Sequence, residues 1–104
     1  MSLNKKVLTE AYRLIQDIGF CKGQLSYRDE DGRALAYDTV GAIDEAAKKM
    51  CEGHTYQAIG ECLQIFKGTL EDNIEAVWVW NDNPLRMKSE VLSHFISAIN
   101  SLKE

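Results

Sequence analysis

Apolar side chains recur every three to four positions over the first eighteen residues: Leu3, Val7, Leu8, Ala11, Leu14, Ile15 and Ile18. That is the period of a helix with one buried face, and Lys5, Lys6, Thr9, Arg13, Gln16 and Asp17 fill the opposite face. Gly19 supplies a stop, and Phe20 can fold back on the last turn. The period then changes. Leu25 and Tyr27 alternate with polar residues across Gly23 to Arg28, and Asp31-Gly32 is a turn signal ahead of a second short run, Arg33 to Ala36. A β-hairpin is predicted. Two strands alone are marginal in water, so the hairpin must lie on the helices or pair with another chain.

Helical spacing returns at Asp38 or Thr39, either of which can cap a second helix running to about Cys51, with Val40, Ile43, Ala46, Ala47 and Met50 inward. Thr55 is the expected cap of a third helix bearing Tyr56, Ile59, Cys62, Leu63 and Phe66 and closed by Gly68. Thr69-Leu-Glu-Asp72 resembles a capping box and opens a fourth helix through Trp80. Asn83-Pro84 supplies a cap and a first-turn proline for the last helix, which carries Val91, Leu92, Phe95, Ile96, Ile99 and Leu102 on one face. The expected fold is mainly α: a compact five-helix single domain over residues 1–104, with one small β-hairpin between helices 1 and 2.

Several fragments stand in a distinctive order: Gly19-Phe-Cys-Lys-Gly23, Asp29-Glu-Asp-Gly-Arg33, Val40-Gly-Ala-Ile43 with Ala46, and Trp80-Asn-Asp-Asn-Pro84 with Arg86 and Glu90-Val-Leu92. Together they resemble a family of small, uncharacterised bacterial and phage proteins carrying a Trp-Asn-Asp signature. The resemblance spans most of the chain and implies no activity. Two positions depart from that pattern. Phe20 stands where the family usually has Trp, and Met87 where Thr or Ser commonly caps the last helix, leaving Ser89 as an alternative cap.

Composition narrows the function classes. The chain has 104 residues, 45% of them hydrophobic, and a domain of that size buries roughly 65% of its unfolded surface without staples. Its net charge of −4 argues against a protein that draws its affinity from nucleic-acid phosphates. The acidity is uneven, because residues 1–35 carry six basic and five acidic side chains while residues 36–104 carry six and eleven. No run approaches the roughly 20 apolar residues of a membrane span, and Asn4, Lys5 and Lys6 interrupt any secretory signal. Cys21, Cys51 and Cys62 are odd in number and lack disulfide spacing, so a cytoplasmic location is expected.

The distinctive polar group is Trp80, Asn81 and Asp82 with Arg86, to which Arg33 of the hairpin is added as a candidate ligand-binding set. An amide, a carboxylate and a guanidinium beside an indole can hold an anionic or planar ligand. The alternative is that Asn81 and Asp82 satisfy loose backbone groups while Arg86 pairs with Asp82. Trp78, Val79 and Trp80 make the fourth helix apolar on more than one side, which predicts a homodimer interface there. Cys51, His54 and Cys62 read as C-x2-H-x7-C without the paired spacing of a zinc site, so no metal and no cofactor are expected. A Cys-His pair drawn from Cys21 or Cys51 and His54 or His94 stays open, but no catalytic fingerprint is present, and no catalytic residue is assigned. The expectation is a small non-catalytic binding or assembly module that self-associates or takes a protein partner. The alternatives are a ligand binder or enzyme with a pocket at the Trp80–Arg86 junction, and a phage-type inhibitor presenting an acidic surface.

Overall fold

The first helix, α1 (Leu3–Asp17), forms where the periodicity places it. In the computed structural model, which describes residues 2–102, the Ser2 hydroxyl caps α1 by accepting the Lys5 N–H at 3.2 Å. Val7, Leu8, Ala11, Leu14 and Ile15 are buried, each larger aliphatic contributing roughly 1.5–3 kcal/mol. Glu10 is buried with them, its carboxylate gripped by Arg13 and Lys49.

The hairpin pairs β1 (Ser26–Arg28) with β2 (Ala34–Tyr37) in antiparallel register, Ser26 opposite Tyr37 and Tyr27 opposite Ala36. Arg28 then faces Ala34, so Leu35 is the extra residue of a bulge. The Asp29 carboxylate closes the turn by accepting the N–H groups of Asp31 and Arg33, both at 2.9 Å. The chain leaving α1 covers part of β2: Phe20 bridges to Tyr37, the Cys21 N–H donates to the Tyr37 carbonyl, and the Tyr37 N–H donates to Gly19, both at 3.0 Å. The marginal hairpin is thus anchored within the monomer.

Helix α2 (Thr39–Met50) is capped by Asp38, whose carboxylate accepts the Gly41 N–H. Gly41 has a second duty. A Cβ there would stand 1.9 Å from the Leu25 carbonyl oxygen, which itself accepts the Asp38 N–H at 3.0 Å. Only glycine lets the segment leading into β1 rest on the start of α2. The remaining helices are α3 (Thr55–Lys67), α4 (Val77–Asn81) and α5 (Lys88–Ser101). Five helices with one hairpin between the first two form a single globule. At its centre Phe66 meets Phe95 edge-on at 4.8 Å and Trp80 at 5.5 Å between ring centroids. Among the described residues no helix is long and apolar enough to cross a membrane.

Several boundaries differ from the sequence expectation. Thr69 opens no helix: its hydroxyl donates to the Phe66 carbonyl at 2.7 Å and lies 3.0 Å from Nδ1 of His94. Turns follow, and α4 is five residues long. Asp72 and Asn73 are poor helix formers, and packing of Leu70 and Ile74 against the core outweighs a capping box that lacks its usual Glu. Pro84 starts no helix either. The Asn83 side chain accepts the Leu85 N–H at 2.9 Å, making a turn, and Met87 occupies the cap position of α5. Met87 has no oxygen to offer, but Glu90 accepts its N–H at 3.0 Å, half of a capping box; Ser89 lies inside the helix. His54, in the left-handed region, precedes α3 where Thr55 was expected. Met50, Tyr56 and Ile96 face out instead of in; Tyr56 is 91% exposed.

Candidate functional site

Asn81 ends α4 fully buried, and its side chain uses its whole hydrogen-bonding capacity inside the protein. Oδ1 accepts the Thr39 N–H at 2.9 Å and the Thr39 hydroxyl at 2.6 Å. Nδ2 donates to the Cys21 carbonyl at 3.3 Å and to Asp82 at 3.0 Å. The same Asp82 oxygen accepts the Gly23 N–H at 3.0 Å. Two consecutive side chains therefore tie α4 to the first turn of α2 and to the loop after α1. Buried polar groups are costly unless satisfied, and these are satisfied by one another. They leave Asn81 nothing with which to hold a ligand.

Trp80 is 6% exposed, wedged against Phe66 and against His94 at 4.9 Å. Its indole face is already taken. The Arg86 guanidinium carbon lies 4.0 Å from the ring centroid, Nε donates to the Trp80 carbonyl at 3.0 Å, and Nη1 pairs with Glu90 at 2.9 Å. Arg86 thus pairs with Glu90, not with Asp82. Arg33 is not brought to the junction; it is exposed at the hairpin turn, where its N–H donates to Asp29. Of the expected interface residues, Trp78 is 58% and Val79 38% exposed, while Trp80 belongs to the core.

The buried groups around the clamp have shifted acidities. Burial pushes the Asp38 carboxyl up to about 6, partly opposed by the Gly41 N–H and reinforced by the negative charge of Asp82. Burial also raises the Cys21 thiol, and the charges of Asp38 and Asp82 add to it. Cys21 is held as a thiol, the unreactive form. His94 is lowered by burial and by Arg86, which keeps its ring neutral. Among the described residues no three His, Cys, Asp or Glu side chains converge as metal ligands; Cys62 is buried beside Asn4, its Sγ 3.7 Å from the Asn4 carbonyl.

Beside the clamp lies an open cleft of 560 Å³, lined by Phe20, Cys21, Lys22, Tyr27, Leu35, Ala36 and Arg86. The bulge residue Leu35 and its neighbour Ala36, which pairs with Tyr27, form one wall. Tyr27 and Leu35 are each more than half exposed. The Lys22 ammonium donates to the Pro84 carbonyl at 2.9 Å, holding the loop after α1 to the turn before α5.

A family model matches residues 2–101, nearly the whole chain and every element just described. The chain belongs to DUF6197, a family of unknown function. No curated protein matches it, and no solved structure does. Within this DUF6197 fold, the sequence pattern marks Trp80, Asn81, Asp82 and Arg86, and the structure brings them together at one junction with the Asn81 side chain engaged inside the protein. It is Arg86 alone of the four that also lines the cleft. Sequence reasoning offered the hairpin as a surface that must be covered or paired, but did not single out Phe20, Lys22, Tyr27 and Leu35, although the apolar positions facing out of a short hairpin were a signal for them.

Proposed function

We propose that this DUF6197 chain is a small non-catalytic binding module whose contact surface is the hairpin cleft. One observation carries the reading: the Asn81 side chain and one Asp82 carboxylate oxygen are engaged internally, while the exposed aromatic and aliphatic side chains of the hairpin gather around a cleft beside them. A recess with apolar walls and a few fixed polar groups is the usual form of a ligand site. The Cys21 thiol is buried and protonated and the His94 ring rests on Trp80, so neither is poised for nucleophilic or acid–base work. The unpaired thiols fit a reducing, cytoplasmic setting.

The test is amide chemical-shift mapping with a set of small apolar fragments. Shifts concentrated at Phe20 to Lys22, Tyr27, Leu35, Ala36 and Arg86 support the reading. Shifts confined to other surfaces, or none at millimolar fragment, refute it.

A second reading, self-association, draws on Trp78. Its exposed indole flanks a groove of 230 Å³ walled by Val40, Leu63 and Val77. A homodimer closing over Trp78 and Val79 would sediment above monomer mass at tens of micromolar, and Trp78→Ser would return it to monomer. A monomer at that concentration rules the dimer out.

A further inference from the structure

The charges at the cleft narrow what it takes, on the footing that the cleft is the binding surface. Its lining includes two cationic side chains and no carboxylate, in a chain whose net charge is −4. The two cations are not equivalent. Arg86 is paired with Glu90 and fixed by the Trp80 carbonyl, so its local charge is offset and its position is set, while Nη2 makes no hydrogen bond among the described residues. Lys22 has a backbone carbonyl as its partner and no ion pair among the described residues, so its ammonium is open to an incoming anion. An ammonium has three donors, and Pro84 uses one. The cleft therefore presents two fixed cationic side chains beside Phe20, Tyr27 and Leu35, while the Asp82 and Asp38 carboxylates, whose charges reach Cys21, limit its net positive charge. Its 560 Å³ lies within the range of sites for small organic ligands.

We infer that the cleft binds a small aromatic monoanion, an aromatic carboxylate, whose ring lies among Phe20, Tyr27 and Leu35 and whose charge is met by Lys22 and Arg86. A carboxylate can accept from both the Lys22 ammonium and the Arg86 guanidinium. Guanidinium held rigid on Trp80 loses little freedom on binding, which favours the complex. With the Asp82 and Asp38 carboxylates close behind Cys21, a monoanion is matched better than a dianionic phosphate ester, which they would repel more strongly.

The experiment titrates the whole chain with 1-naphthoate, the neutral 1-naphthamide and 1-naphthyl phosphate, reading amide shifts and affinity at pH 7 and low salt. The naphthoate is expected to shift Phe20, Cys21, Lys22, Tyr27, Leu35 and Ala36, and to bind about tenfold more tightly than the amide, the worth of one charge-assisted hydrogen bond. The phosphate is expected to bind no more tightly than the naphthoate. Lys22→Gln should erase most of the preference for the acid, read as the ratio of acid to amide affinity within the variant. The melting temperature of this variant is read alongside, and Lys22→Arg should restore the preference. Equal binding of acid and amide at the cleft overturns the anion inference while the cleft remains the binding surface. Much tighter binding of the phosphate overturns the monoanion assignment. If none of the three moves a cleft amide at millimolar concentration, the cleft fails as a binding surface and the inference fails with it.

Discussion

Asp38 caps α2 from a buried position, and burial makes its negative charge expensive. Its carboxyl titrates at about 6 in the folded chain against 3.8 for the unconstrained group. A raised acid binds its proton more tightly in the folded state, so folding is favoured when the group is neutral and penalised once it ionises. The penalty is absent below about pH 3.8, grows through the interval to about 6, and is fully present above it. Two pH units correspond to about 3 kcal/mol at most. Asp38→Asn keeps the cap, because Asn accepts from the Gly41 N–H as Asp does, and it removes the charge. Urea unfolding of both proteins from pH 3.5 to 7.5 isolates this group, since Glu10, Glu90 and His94 contribute alike to each and cancel in the difference. The variant should be more stable by about 2–3 kcal/mol at pH 7.5, with the gap closing as pH falls to 4. A difference that is flat across that interval, or that widens toward acid, refutes the assignment of a buried and costly charge to Asp38.

Three further outcomes follow from the same structure. Gly41→Ala should cost about 2 kcal/mol or more in urea unfolding, because the new methyl collides with the Leu25 carbonyl oxygen; loss of slow hydrogen exchange at the Asp38 amide would locate the damage. Glu10 is held down to about 2 by its hydrogen bonds to Arg13, with Lys49 assisting, so its stabilisation is present above pH 4.5 and is lost as pH falls toward 2. Because Arg13 and Lys49 are about half exposed, Glu10→Gln should lower stability at pH 7 by only about 1–2 kcal/mol. That difference should shrink steadily below pH 4 in an acid titration of unfolding. Arg86→Lys cannot lie flat on the indole or keep the same set of donors. It should shift the Trp80 and His94 ring signals and lower the melting temperature by about 5 °C.

The helices that were legible from sequence are those with a single apolar stripe. In α1 and α2 the stripe and the cap agree, so local and global preferences coincide. Residues 69–76 were not legible, because the Thr69 hydroxyl is claimed by Phe66 and by His94, a partner 25 residues away. The site was legible in its residues, and the reading that Asn81 and Asp82 satisfy loose backbone groups was among its alternatives, but the partners were not legible. An Asn and an Asp at a helix junction invite attention, yet what decides their function is that Asn81 reaches Thr39 and Cys21, 42 and 60 residues distant. Arg86 and Glu90 stand at helical spacing, and the expected pairing with Asp82 failed because Asp82 is occupied by Asn81 and the Gly23 N–H. The cleft depends on a bulge at Leu35 that no local signal announces.

The molecule divides its labour: Asn81 holds the fold together, while the neighbouring hairpin carries the proposed contact surface. Equilibrium urea unfolding of Asn81→Ala beside Tyr27→Ser tests it most directly. Truncating Asn81 leaves the Thr39 N–H and the Cys21 carbonyl buried without partners, each worth about 1–3 kcal/mol. The predicted result is a loss of about 3 kcal/mol or more for Asn81→Ala and less than about 1 kcal/mol for Tyr27→Ser, whose side chain is more than half exposed. A loss below about 1 kcal/mol for Asn81→Ala, or equal losses for the two variants, would contradict it.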